Sequence, residues 1–250
     1  MTGQTTRLTY YGHACFKIDN GHWSLVLDPY KPEMIGYPPL QVEAHVMLAS
    51  HEHEDHNYMP AVKLLSAHKN PLKKVPAALA WPAADPEFFL VKALETYHDD
   101  SKGKKRGNNK IHIIRTNGLT IAHLGDLGHP LSQEQAERIG QLDLLLLPVG
   151  GYYTIDAQQA VATIRQLAPR NVVPMHYQIG YGKLPIATVN PFLELIAADY
   201  PIRMLEGPEL LLTRQDQQNC FVPTYQKPGF YAVAIRVAGQ TPERRITPET

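Results

Sequence analysis

Three histidines and an aspartate stand within six residues, His51-Glu52-His53-Glu54-Asp55-His56, after an apolar run, Ala44 to Ser50, that reads as a buried strand. Residues two apart in extended chain point to the same side, so His51 and His53 can close on one ion. Asp55 and His56 turn away with the chain, and two adjacent metal positions are the natural outcome. Imidazole nitrogen and carboxylate oxygen suit Zn²⁺ foremost, with Mn²⁺ or Fe²⁺ possible. At this chain's own His and Asp frequencies, such an arrangement arises by chance somewhere along it with a probability of roughly one in a thousand. Four donors do not complete a two-metal site, so the fold must bring further donors from distant strand ends.

Three residues sit where such donors belong. His98 follows the apolar stretch Phe88 to Leu94, Asp126 follows a strand over Leu119 to Leu124, and His176 follows a strand over Asn171 to Met175. Sulfur is not available to the site. The only cysteines, Cys15 and Cys220, are far apart and match neither a disulfide framework nor a Cys-x-x-Cys pair, which suits a reducing, cytoplasmic compartment. Lys+Arg and Asp+Glu number 24 each, so no basic excess favours nucleic acid, and no run approaches the roughly 18 apolar residues of a membrane span. No basic-then-apolar leader opens the sequence.

The rest of the chain alternates short strands and helices. Arg7 to Tyr10, Ala14 to Ile18 and Trp23 to Asp28 read as strands, the last two joined by a turn at Asn20-Gly21. Met59 to His68 carries Ala61, Val62, Leu64 and Leu65 at helical spacing. Ile111 to Ile114 and Leu119 to Leu124 flank a second turn at Asn117-Gly118, and Leu142 to Pro148 is apolar enough for a strand buried on both faces. Ser132 with Gln135 and Asp156 with Gln159 have capping-box spacing, and Asn190-Pro191 puts a capping residue before a first-turn proline. Ile202 to Leu205 is a further strand. The pattern predicts an α/β fold of two sheets between outer helices in one domain. The segment from Arg214 is more polar and has one clear apolar run, Tyr231 to Val237.

The hexapeptide, the later Gly125-Asp126 and the still later His176 together resemble the metallo-β-lactamase superfamily of metal-dependent hydrolases. Gly12-His13-Ala14, Leu27-Asp28-Pro29, Ala122-His123-Leu124-Gly125-Asp126, Pro148-Val149-Gly150-Gly151 and Pro174-Met175-His176-Tyr177 look like the branch containing L-ascorbate-6-phosphate lactonase and N-acyl-phosphatidylethanolamine phospholipase D. The resemblance implies a four-layer αββα sandwich over residues 1–213, with 214–250 an extension packed on the same domain. It implies two divalent ions, one held by His51, His53 and His98, the other by Asp55, His56 and His176, with Asp126 bridging. Asp55, Asp126 and His123 are then the catalytic candidates. The implied reaction is hydrolysis of an ester, lactone or phosphodiester by a hydroxide held between the ions.

His13, Arg106, Tyr152, Tyr153 and Tyr177 are candidate substrate contacts, and Asp28 a candidate buttress. Two divalent ions outweigh the carboxylates of Asp55 and Asp126, which favours an anionic small-molecule or phospholipid-like substrate. The resemblance also allows a homo-oligomer. A metal-occupied sensor or scaffold that binds without turnover is the alternative.

Overall fold

In a computed structural model, residues 5–226 are described, except 84, 86 and 217. A meander of β1 (Thr6–Tyr10), β2 (Phe16–Asp19) and β3 (Ser24–Leu27) leads into a single-turn α1 (Pro32–Ile35), then β4 (Val42–Ala44), β5 (Val46–Leu48), β6 (Val62–Leu64) and β7 (Leu72–Lys74). Two long strands follow, β8 (Phe89–Tyr97) and β9 (Asn108–Thr116), and then β10 (Leu119–His123). Helices and strands alternate beyond them: α2 (Gln133–Ile139), β11 (Leu144–Pro148), α3 (Ala157–Leu167), β12 (Asn171–Met175), α4 (Asn190–Ile196) and β13 (Ile202–Met204). The last described strands are β14 (Glu209–Leu212) and β15 (Asn219–Val222).

Two main sheets face each other. One has the order β14-β1-β2-β3-β5, the other β13-β15-β12-β11-β10-β9-β8-β7. Between them lies a core of Leu8, Phe16, Ile18, Leu25 and Leu27 against Ile114, Ile121, Leu144, Leu146, Val173 and Met175. The outer face of the larger sheet buries Leu145, Leu147 and Val172 under Val161, Ile164, Phe192 and Ile196 from α3 and α4. Successive leucines of β11 therefore feed opposite cores, which is why the strand is apolar without interruption. On the outer face of the smaller sheet, Cys15 and Val26 are covered by Tyr30, by Ile35 of α1 and by the β4–β6 pair. Both cysteines are buried and unpaired.

Local signals explain most boundaries. Asn117 and Gly118 both take positive φ, 48° and 73°, the turn that matches the twist of β9 and β10. Both capping boxes form: Ser132 and Asp156 accept the N–H of Gln135 and Gln159, whose side chains return the bond.

Three expectations are corrected. Met59 to His68 is not a helix but a 3₁₀ turn over Met59–Ala61 followed by β6. Its apolar residues satisfy either period, and parallel pairing with β4 decides for the strand. The run Ala44 to Ser50 is not one strand: a bend at His45 sends β4 to β6 and β5 to β3. The bend is held where His45 N–H donates to Ser24 O and Ser24 N–H to His45 Nδ1. Asn190 is the first residue of α4 rather than its cap, because Val189 is already helical and its carbonyl accepts from Leu193 N–H.

Asn219–Val222, in the segment read as an extension, lies within the larger sheet as β15, parallel to β12 and β13. The run Tyr231 to Val237 lies outside the described residues.

Candidate metal centre

Five chain segments converge at one edge of the sandwich. β10, β11 and β12 are parallel, so their carboxyl ends share an edge. Asp126 follows β10 and His176 follows β12; His98 follows β8, and the hexapeptide follows β5 of the facing sheet. The fifth is the tight turn after β1, where Cys15 N–H donates to Gly12 O and His13 projects from the smaller sheet. The two sheets are tied there by His176 N–H donating 2.9 Å to His13 O.

Close packing around Asp126 requires glycine on both sides. A Cβ on Gly125, whose φ is 54°, would overlap Asn109 Oδ1 and Ser50 Cβ; one on Gly128 would overlap the backbone between His98 and Asp99.

The donors meet at ligand spacing. Asp126 Oδ1 lies 3.2 Å from His56 Nε2, and its Oδ2 lies 3.2 Å from His98 Nε2 and 3.3 Å from His176 Nε2. Asp55 Oδ2 lies 3.8 Å from His56 Nε2. Three sets have all their donor atoms within 4.8 Å of one another: His51, His53 and His98; His51, His56 and Asp126; and His13, His56 and His176. Of the seven expected ligands, six are buried or half-buried, and His53 stands at the exposed mouth.

A second layer sets which ring nitrogen carries the proton. Asp28, wholly buried with φ 48°, accepts from Ser50 N–H at 2.7 Å and from Ser50 Oγ at 2.6 Å. It also accepts from His56 Nδ1–H at 2.8 Å. The one hydroxyl hydrogen of Ser50 is thus committed to Asp28, so at 2.9 Å Ser50 Oγ accepts from His51 Nδ1–H. His51 then presents a bare Nε2 lone pair to the centre, and on His56 the Nδ1–H held by Asp28 leaves Nε2 as the atom that a cation would take in exchange for its proton.

The titration behaviour follows from burial and from these neighbours. Burial, helped by His56, lowers His51 to about 3. Burial, helped by His176, lowers His13 to about 4. Burial alone would raise Asp126, but His176 and His56 outweigh it and hold the carboxyl far below its usual range. Burial likewise opposes the charge on His56, and Asp126 and Asp55 more than compensate, raising it.

The donor set fits a divalent cation. His51 Nε2 and Asp126 Oδ1 are buried, and neither has a hydrogen-bond partner among the described residues; His56 Nε2 approaches the latter without hydrogen-bond geometry. An unsatisfied buried polar atom costs about 1–3 kcal/mol. Convergence of several such atoms is what an ion site with nitrogen and oxygen ligands looks like from the protein side.

The remaining candidates fall in different places. The Arg106 guanidinium lies over the Tyr153 ring at 5.5 Å. Arg106 also lines a cleft of about 310 Å³ beside the centre, with His51, His53, Glu52, Glu95 and Lys110. Tyr152 is exposed, with its ring against Tyr153 at 4.6 Å. Tyr177 is buried in the core beneath the helices rather than turned to the cleft. His123 is wholly buried, its Nε2–H donating to Ala14 O and its Nδ1 accepting from Gly125 N–H. Both its nitrogens hold backbone, so its part is to position the loop that carries Asp126, not to exchange protons with a substrate.

Sequence reasoning missed Ser50, Asn109 and Asp99. Asn109 Oδ1 accepts from Asp126 N–H while its amide donates to Thr96 Oγ1 and Leu124 O. Asp99 accepts from the backbone N–H of Ser101, Gly103, Lys105 and Arg106. Burial opposes its charge, but those amides lower it to about 2 and shape the loop that carries Arg106. Asp99-Asp100-Ser101 immediately after His98 was the available signal, since Asp and Ser favour such turns.

A family model described as a beta-lactamase superfamily domain matches residues 7–176. A UPF0173 metal-dependent hydrolase of Thermococcus kodakarensis is 29% identical over 195 residues, covering 68% of this chain and 84% of that protein. One from Nitratidesulfovibrio vulgaris is 26% identical over 243 residues, covering 86% and 98%. Among solved structures, a Thermotoga maritima protein of the metallo-beta-lactamase superfamily superposes with a TM-score of 0.63 at 29% identity, over 88% of this chain and 98% of that one. A metallo hydrolase of Ignicoccus hospitalis shares the fold, with a TM-score of 0.58 at 24% identity over 84% and 98% of the two chains.

Proposed function

Because this chain belongs to the metallo-β-lactamase superfamily, we propose that it is a hydrolase acting with two divalent ions, Zn²⁺ foremost, on an ester, lactone or phosphodiester in an anionic molecule. The observation that carries the reading is the Asp126 carboxylate, which touches His98 through one oxygen edge and His56 through the other. One group of His51, His53 and His98 and a second of Asp55, His56 and His176 would hold the ions, with Asp126 shared. Bound there, such ions supply a water ionised near neutral pH and an electrophile for the substrate oxygen.

The chain's own residues do the rest. Asp28 and Ser50 keep His51 and His56 in the tautomers that leave Nε2 free. Asn109 and His123 hold the Gly125-Asp126 backbone in place. No protein nucleophile is needed, and neither buried cysteine offers one: burial pushes the Cys220 thiol up to about 12 and likewise holds Cys15 well above its ordinary range.

Charge arithmetic sharpens the substrate class. Two divalent ions bring four positive charges; Asp55, Asp126 and the underlying Asp28 return three, and an ionised water brings the sum near zero. The preference for an anion therefore rests on the cleft, where Arg106 and Lys110 offset Glu52 and Glu95, and on Arg106 in particular, which makes no ion pair among the described residues and stands with its guanidinium on Tyr153. Gly12-His13-Ala14 and Pro174-Met175-His176-Tyr177 support the lactonase and phospholipase D branch. No helix among the described residues is long and apolar enough to cross a membrane, and the two free thiols suit a cytoplasmic setting.

The test is a panel of bis-aryl phosphodiesters, lactones and thioesters on protein stripped of metal and reloaded with Zn²⁺, Mn²⁺ or Fe²⁺. Turnover should need metal, and His51→Ala or Asp126→Ala should abolish it. Arg106→Ala should raise KM about tenfold for anionic substrates, the loss of one charge-assisted bond, and leave neutral ones unchanged. Full activity after chelation overturns the reading; two bound ions with no turnover across the panel would favour a sensor.

A further inference from the structure

We propose that His13 is a direct ligand of the ion held by Asp55, His56 and His176, not a substrate contact. The inference rests on the two-ion reading above and adds a donor to it from the turn after β1, facing His176 across the two sheets. His13 Nε2 lies 3.1 Å from His56 Nε2 and 3.5 Å from Asp55 Oδ2. Donors bound to one ion at about 2.0–2.1 Å, with angles between octahedral and tetrahedral, are about 2.8–3.4 Å apart. The first distance falls in that window, the second lies just beyond it and is shorter than the 3.8 Å between Asp55 Oδ2 and His56 Nε2, and the donor atoms of His13, His56 and His176 all lie within 4.8 Å of one another.

Protonation states point the same way. His56 Nδ1–H is given to Asp28, so Nε2 is the His56 atom that faces His13 and that a cation would take. His13 Nδ1 is buried without a hydrogen-bond partner among the described residues, so Nε2, facing His56 and Asp55, is its one engaged nitrogen. With Nε2 on a metal, the proton sits on Nδ1, as it must on His98 and His176, whose Nδ1 atoms are equally buried and unpartnered. His13 shares the pattern of the expected ligands.

Exposure and backbone separate a ligand from a substrate contact. His13 is 1% exposed and offers almost no surface to a molecule in the cleft. Its φ of 55° and the 52° of His176 are left-handed values that ordinary side chains avoid, and the hydrogen bond from His176 N–H to His13 O locks the two together. Such backbone strain persists where the surroundings enforce a geometry. Here they aim two imidazoles from two sheets at one point. The second position thus has His13, Asp55, His56 and His176 besides the shared Asp126, one protein donor more than the first.

The experiment uses the full chain, stripped and titrated with Co²⁺, comparing wild type with His13→Gly and His13→Asn. Both replacements tolerate the left-handed backbone, so the turn keeps its shape. We expect the wild type to take two equivalents. In both variants one of the two should weaken by more than the roughly 10- to 100-fold that follows loss of an outer partner. At saturating Co²⁺ the visible absorption should differ from wild type, because one ion has changed its coordination, and free imidazole should restore the spectrum of His13→Gly. Both variants binding the second Co²⁺ within threefold of wild type with an unchanged spectrum overturns the inference. Wild type that fails to take two equivalents overturns the two-ion reading instead. Should either variant not fold, wild type loaded with an NMR-active cadmium isotope decides: metal coupling at His13 Nε2 supports ligation, and its absence while His56 and His176 show coupling refutes it.

Discussion

At the residue scale, the centre depends on hydrogens as much as on donors. Ser50 has one hydroxyl hydrogen, and its donation to Asp28 makes Ser50 Oγ the acceptor that orients His51. Ser50→Ala removes both contacts and leaves His51 free to change tautomer, while the Asp28 carboxylate keeps the bond from residue 50 N–H. Metal affinity should fall about 10- to 100-fold with the fold intact, read by competition with a chromophoric chelator beside circular dichroism; wild-type affinity would show that Ser50 does not orient the ring. The four donors expected from the hexapeptide were legible because their type and spacing carry the chemistry, and those expected at His98, Asp126 and His176 from their places after apolar runs and from the family resemblance. Ser50 was not, since a serine ending an apolar strand is common, and only the arrival of Asp28 from another strand gives it a role. His123 reads as catalytic and Tyr177 as a substrate contact from their motifs, yet both side chains are buried, His123 against backbone partners and Tyr177 in the core.

At the scale of elements, local chemistry was sufficient where the partner is a few residues away. The Asn117-Gly118 turn and the capping boxes of α2 and α3 need nothing beyond four residues of sequence. Asp156→Ala should cost about 1 kcal/mol in urea unfolding, the usual worth of an N-cap, and His51, on another element, should bind metal as before. A change below about 0.3 kcal/mol would mean the cap is not formed. Met59 to His68 shows the opposite case. Its apolar spacing suits a helix, yet Val62–Leu64 becomes a strand because β4 is there to pair with it, and a three-residue preference is too weak to resist a partner. The bend at His45, which divides one apolar run between two sheets, is equally invisible without Ser24 beside it.

At the scale of the whole molecule, the two sheets are the frame that keeps five loops within ligand distance. Leu146 lies in the core between those sheets, and its carbonyl accepts from Leu124 N–H two residues before Asp126. Leu146→Ala should destabilise the fold by about 2–5 kcal/mol by opening a cavity there, measured by urea unfolding of metal-free protein; a loss under 1 kcal/mol would mean the sheets close the gap by shifting. The sequence by itself determined the candidate donors: a hexapeptide of nitrogen and oxygen side chains, three more after apolar runs, and alternating strands and helices are all local patterns. The tertiary structure alone decided which side chains meet. That Asp28 underlies both His51 and His56, that Arg106 rests on Tyr153, and that His13 stands beside His56 are contacts between residues tens of positions apart. Their distances are set by how two sheets pack, which no periodicity within either strand encodes.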